Sequence, residues 1–291
     1  MLYDQEPPTP GSNTATAPRA AGLLSRYVAV IFVVGFWLAC GWIFRPSVQA
    51  YLLLGVPLTV LFQWLIRRRP LRALWVRSAP RFRLGWKGIV IAATLAVLPA
   101  VSAIGELAED QISWAGVFSS AVACVGAVGA AYAIVNFKRE HLRLLALCLL
   151  ITTALDAIQW VIFLGFGLHQ MKPIEGGIAA RVAILIYSLL LYIAITFVIE
   201  EVSFRMLDDH LHQGRPGRGL FSAVLLSAMW GLWHLPLTDE LSWSEIGLLL
   251  YIHVPYGVVL SLFWRRTGNL LIPGLAHSLG DAIRNAIVAG D

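Results

Sequence analysis

The feature that most constrains this chain is a succession of apolar runs, each about as long as a lipid bilayer is thick. A transmembrane helix needs about 20 mostly apolar residues. Nine runs meet that length: 27–44, 49–66, 88–105, 115–135, 144–168, 178–203, 219–237, 246–264 and 270–289. Short polar stretches holding Pro, Arg or acidic residues separate them. The sequence therefore predicts an all-α polytopic membrane helix bundle of about nine transmembrane helices, with little chain left for a separate soluble domain. Composition agrees, since 58% of residues are hydrophobic, 13% are charged and the mean hydropathy is +0.73. Soluble domains are about 45–50% apolar and about one quarter charged, which excludes a cytosolic enzyme. Cys40, Cys124 and Cys148 all lie in apolar runs, which excludes a secreted disulfide scaffold. The net charge of +5 does not imply nucleic acid as a partner, because the basic residues lie in loops.

Basic residues are retained on the cytoplasmic side of a membrane. With the N-terminus inside, only Arg45, Lys172, Arg181 and Arg284 of the 22 Lys and Arg fall on the outer side. An N-in, C-out threading follows. Residues 1–25, rich in Pro, Thr, Ser and Ala, are expected to be a disordered cytoplasmic tail. Residues 26–177 hold the N-terminal transmembrane helices, the first read as an anchor rather than a signal peptide, and 178–291 form a C-terminal core. The fourth run is crowded with small residues, among them Gly126, Ala127, Ala130 and Ala131, which let helix backbones approach closely.

Ionisable side chains inside a span cost about 2.5–3.5 kcal/mol on insertion scales, and here they gather in the last third of the chain. The sixth run leads into Glu200-Glu201-Val202-Ser203-Phe204-Arg205, the seventh holds Trp230 and His234, and the ninth holds His277 and Asp281. Each cluster contains an i, i+4 pair, which shares one helix face. Glu201 can thus pair with Arg205, leaving Glu200 free, and Trp230 can wall off the His234 imidazole. If the sixth helix continues to about His212, Glu200 lies ~18 Å from its end, His234 ~22 Å from Gly219 and His277 ~16 Å from Arg266. The three clusters can then share one depth. Because Arg205, Asp208 and Asp209 follow Glu200, that helix must leave the hydrocarbon or border a wet cavity.

Glu200-Glu201-x-x-x-Arg205, Trp230-x-x-x-His234 and His277-x-x-x-Asp281, in this order, resemble the CPBP family, which includes the type II CAAX prenyl endopeptidases and bacteriocin-processing or immunity proteins. The resemblance covers residues 180–290. Trp230 stands where Phe is usual, read as a harmless aromatic swap, and Asp281 stands where the prenyl endopeptidases carry Asn. The resemblance implies an intramembrane protease in a bacterial plasma membrane, cleaving a membrane-anchored peptide or protein, prenylated or not. Glu200 and His234 would activate water, Glu201 and Arg205 would brace the site, and His277 with Asp281 would stabilise the oxyanion. Zinc or another divalent metal on Glu200, His234 and His277 is the alternative, since one Glu and two His form a known catalytic set; metal-free catalysis is preferred because Glu201 is committed to Arg205. A proton-coupled transporter, with Asp156 and His253 extending a relay, and a non-catalytic scaffold or immunity partner are the competing functions. For Asp156 and His253 the simpler expectation is a buried hydrogen bond and a contact beside the Pro255 kink.

Overall fold

The computed structural model describes residues 17–79, 81–166, 177–212, 219–238 and 241–288. Ten α-helices run through them: α1 (Ala17–Phe44), α2 (Val48–Leu61), α3 (Gly85–Ala108), α4 (Trp114–Val135), α5 (Leu142–Gly165), α6 (Gly177–Thr196), α7 (Glu200–His212), α8 (Gly219–Trp233), α9 (Trp243–Thr267) and α10 (Leu271–Val288). The all-α polytopic bundle is as the sequence predicts. Eight segments are long and apolar enough to cross a membrane, the last being Trp243–Thr267. The ninth run does form a helix, α10, but one that carries His277, Asp281, Arg284 and Asn285 and falls outside those eight among the described residues. α1 starts at Ala17, so residues 17–25 are helical rather than tail; Pro18 suits a first turn, where its missing N–H costs nothing. Residues 1–16 lie outside the described part.

The apolar surface fits a lipid solvent. On α3, Ile89, Val90, Val97, Val101 and Ile104 are all more than half exposed, a patch that water would not tolerate but hydrocarbon does. The small residues of α4 do what their size suggests. A Cβ on Gly126 would lie 1.7 Å from the Ala194 carbonyl oxygen, so α4 and α6 touch backbone to backbone there.

The sixth run does not continue as one helix to His212. α6 ends at Thr196, residues 197–199 form a turn, and α7 begins at Glu200. No proline causes the break; two tertiary hydrogen bonds and one local one hold it. Trp75 Nε1 donates to the Phe197 carbonyl at 2.7 Å, Thr196 Oγ1 meets Ser278 Oγ at 2.7 Å, and locally Ser203 Oγ donates back to the Ile199 carbonyl at 2.6 Å. An interrupted helix at membrane depth survives only where its freed polar groups find protein partners.

α7 is the centre of the bundle, buried from Glu201 to Leu211 and packed by α1, α2, α6, α8, α9 and α10. Its acids reside in protein, paired, rather than beyond the hydrocarbon. Asp209 meets Arg67 at 3.2 Å, Arg77 at 2.6 Å and Trp264 Nε1 at 3.0 Å, and Asp208 meets Arg265. Buried charge is tolerable on those terms. The arginine-rich connection between α2 and α3 thereby folds back onto the α9–α10 turn, where Leu270 N–H donates to the Trp75 carbonyl at 2.9 Å and Arg77 N–H to the Gly268 carbonyl at 2.8 Å.

Candidate active site

The break after α6 delivers Glu200 and Glu201 at the first turn of α7, aimed at α8, α9 and α10. His234 follows the last residue of α8, whose terminal carbonyl, on Trp233, accepts from Tyr51 Oη at 2.8 Å. His277 is held in the second turn of α10, beside Ala276, whose carbonyl accepts from Tyr256 Oη at 2.9 Å. Side chains from three helices then converge, as the common depth predicts. Glu200 Oε2 lies 3.8 Å from His234 Nε2 and 3.9 Å from His277 Nε2, and Trp230 Nε1 donates to the same oxygen at 3.1 Å.

Tautomers follow from the partners. His234 Nδ1 lies 2.9 Å from the Trp230 carbonyl and His253 Nδ1 lies 2.7 Å from the Leu249 carbonyl. A carbonyl only accepts, so each Nδ1 carries the proton and each neutral ring leaves Nε2 as an acceptor. His234 Nε2 and Glu200 Oε2 are therefore two acceptors facing across a gap too wide for a direct hydrogen bond. A water molecule, with two O–H donors, is the group that such a gap fits.

Glu201 does more than pair with Arg205. Its Oε2 is 3.1 Å from Arg205 Nε, a charge contact outside hydrogen-bond geometry, while its Oε1 is 3.1 Å from His277 Nδ1. The expectation that Glu201 is committed to Arg205 alone is thus corrected: a carboxylate has two oxygens, and the second orients the histidine. Arg205 Nη1 also donates to Ser261 Oγ at 2.6 Å. Exposure separates the two glutamates, since the Glu200 side chain keeps 17% and His234 22% of their surface whereas Glu201 keeps 1%. Of the two glutamates, Glu200 is the one open to a reactant.

Asp281 sits 3.5 Å from His277 Nε2 through Oδ2 and 3.1 Å from Arg284 through Oδ1. Arg284, counted above among the outer charges, is one residue that the sequence reading missed, although its i+3 spacing from Asp281 was there to be read. His253 is another. Its ring lies 4.2 Å from that of His234 and 4.8 Å from that of Trp230, so it belongs to the cluster and is not merely a contact beside a kink. Beside Pro255, whose missing N–H frees the Tyr251 carbonyl, Gln159 Nε2 lies 3.5 Å from that carbonyl and donates to the Ile252 carbonyl at 3.2 Å. Asp156 lies against the backbone of Gly280, where a Cβ would come within 3.0 Å of its Oδ2. Neither contact has a signal in sequence spacing, because each is made between distant helices.

The donor chemistry of Glu200, His234 and His277 is that of a zinc set, with Glu200 Oε2 at 3.8 and 3.9 Å from the two imidazole Nε2 atoms. Among the described residues no group of three or more His, Cys, Asp or Glu is arranged to hold a metal ion. The Trp230 N–H already engages the one carboxylate oxygen that faces both imidazoles.

Residues 182–283 match the model of the Rce1-like family, type II CAAX prenyl endopeptidase Rce1-like. No curated protein and no solved structure matches the chain. The matched stretch runs from α6 into α10 and contains all three motifs, so the resemblance to the CPBP/CAAX proteases holds over that stretch.

Proposed function

We propose that this protein is an intramembrane endopeptidase that hydrolyses a membrane-associated peptide or protein, with Glu200 and His234 activating the water. The observation that carries this reading is the oxygen of Glu200 set 3.8 and 3.9 Å from two imidazole nitrogens. Water in that gap donates one hydrogen to His234 Nε2 and the other to Glu200. Its oxygen attacks the peptide carbonyl carbon while Glu200 takes the proton, and the carbonyl π pair moves onto oxygen. The developing oxyanion faces His277, which Glu201 and Asp281 hold between two negative charges and so favour as a cationic donor. Collapse breaks the C–N bond, and the proton held by Glu200 passes to the leaving nitrogen. Products are a carboxylate and an amine.

Glu201 and Arg205 brace this arrangement from beneath. A substrate of the CAAX class would present a C-terminal peptide next to a prenyl chain, and lipid brings such a chain to the bundle. The basic connection between α2 and α3 favours the cytoplasmic side for that loop, and the membrane inferred is a bacterial plasma membrane. The test is terminal-peptide proteomics on membranes holding the wild-type protein, Glu200→Gln or His234→Ala. New termini are expected with wild type only, with turnover reduced on the order of 10²–10⁴-fold in the variants and folded protein retained. The same termini at the same rate in both variants overturn the assignment.

A further inference from the structure

Trp230 touches Glu200 and three histidines of the site. Its Nε1 donates to Glu200 Oε2 at 3.1 Å. Its ring meets His277 at 5.0 Å and His253 at 4.8 Å, both edge-on, and lies 6.0 Å from His234. Phe204 and Tyr256 pack its other sides at 6.0 and 6.4 Å, and only 3% of it is exposed. Gly257 makes room for it: a Cβ there would approach the indole to 3.1 Å. A ring so enclosed has one rotamer, and its N–H has one direction.

That direction matters because Glu200 starts a helix and, among the described residues, takes a hydrogen bond from no other donor. Glu201 is fixed by Arg205 and His277, whereas the contacts of Glu200 with His234 and His277 are 3.8 and 3.9 Å long. The carboxylate is free to turn about its last torsion, which is broad for a Glu side chain. The indole N–H removes that freedom on one oxygen. A phenylalanine, the usual residue at this motif position, has the ring but no donor. The exchange is therefore not the harmless aromatic swap that size alone suggests.

We propose that Trp230 is a positioning residue: its N–H holds the Glu200 carboxylate with Oε2 between His234 and His277, a task that Phe at this position would leave undone. The catalytic consequence rests on Glu200 being the water-activating base. The hydrogen bond itself can be tested without a substrate.

Indole-¹⁵N-labelled full-length protein in lipid nanodiscs gives one side-chain signal for each of the eleven tryptophans. Trp230→Phe identifies the signal of Trp230 by its loss. That indole proton is expected downfield in the wild-type protein, displaced upfield in Glu200→Gln, where a neutral amide accepts more weakly, and furthest upfield in Glu200→Ala. An indole shift indifferent to both Glu200 variants overturns the hydrogen bond, and with it the proposal. For the consequence, benzothienylalanine at 230 keeps the ring's size and lacks the N–H. Both it and Trp230→Phe should slow appearance of the proteolytic termini by about 10-fold, as expected for a lost hydrogen bond to a charged group, at unchanged yield and thermal midpoint. A wild-type rate with the benzothienyl ring reduces Trp230 to packing and overturns its positioning role. Failure of the protease reading shows separately, as termini that persist in Glu200→Gln while the indole shift still moves.

Discussion

Glu201 Oε1 and His277 Nδ1 stand 3.1 Å apart, joining the first turn of α7 to α10 across 76 residues of sequence. Because Oε2 of the same carboxylate faces Arg205, one side chain neutralises a buried guanidinium and sets the face of an imidazole. Glu201→Ala is expected to lose stability and activity together, since breaking a buried pair costs about 3–5 kcal/mol. Thermal unfolding in detergent and the yield of folded protein measure the first, and terminal-peptide release the second. Wild-type unfolding of Glu201→Ala contradicts the bracing role.

Asp281 divides its oxygens between His277 and Arg284. If it supports the histidine, Asp281→Asn offers an amide of nearly the same shape, and activity should stay within about 10-fold of wild type, the scale of one hydrogen bond to a charged group. That activity should also resist a chelator. An inactive Asn variant restored by added zinc would instead make position 281 a metal ligand. Rates of both proteins with and without chelator decide it.

Close packing at Gly126 makes a prediction remote from the chemistry. A Cβ there would overlap the Ala194 carbonyl, two residues before the end of α6 and so close to the turn that presents Glu200. Gly126→Ala should cost about 1–3 kcal/mol, as overpacking does, visible as a lower thermal midpoint. Gly105, with nothing within 4 Å of its Cβ position, is the control: Gly105→Ala should be neutral or mildly stabilising.

Threading is tested by cysteine labelling. Arg68, Arg69, Arg81 and Arg83 crowd the connection between α2 and α3, with Lys87 in the first turn of α3, and a single cysteine at exposed Ser78 should react from the cytoplasmic side only. Labelling from outside reverses the orientation.

Solvent preference is written residue by residue, so the chain's own order of apolar runs determines a membrane bundle, and helical spacing alone pairs Glu201 with Arg205 and His277 with Asp281. What the spacing cannot carry is any relation between helices. The turn at 197–199 has no proline or glycine to announce it; it exists because Trp75, from a distant connection, takes the Phe197 carbonyl. The second oxygen of Glu201 finds His277, His253 lies on His234, and the Trp230 N–H selects Glu200 for the same reason. Each is a contact whose geometry depends on how three or more helices cross, and crossing is decided by the packing of whole surfaces. The residue types of the site are thus local information, while the bond from Trp230 that distinguishes one glutamate from its neighbour is a property of the tertiary fold alone.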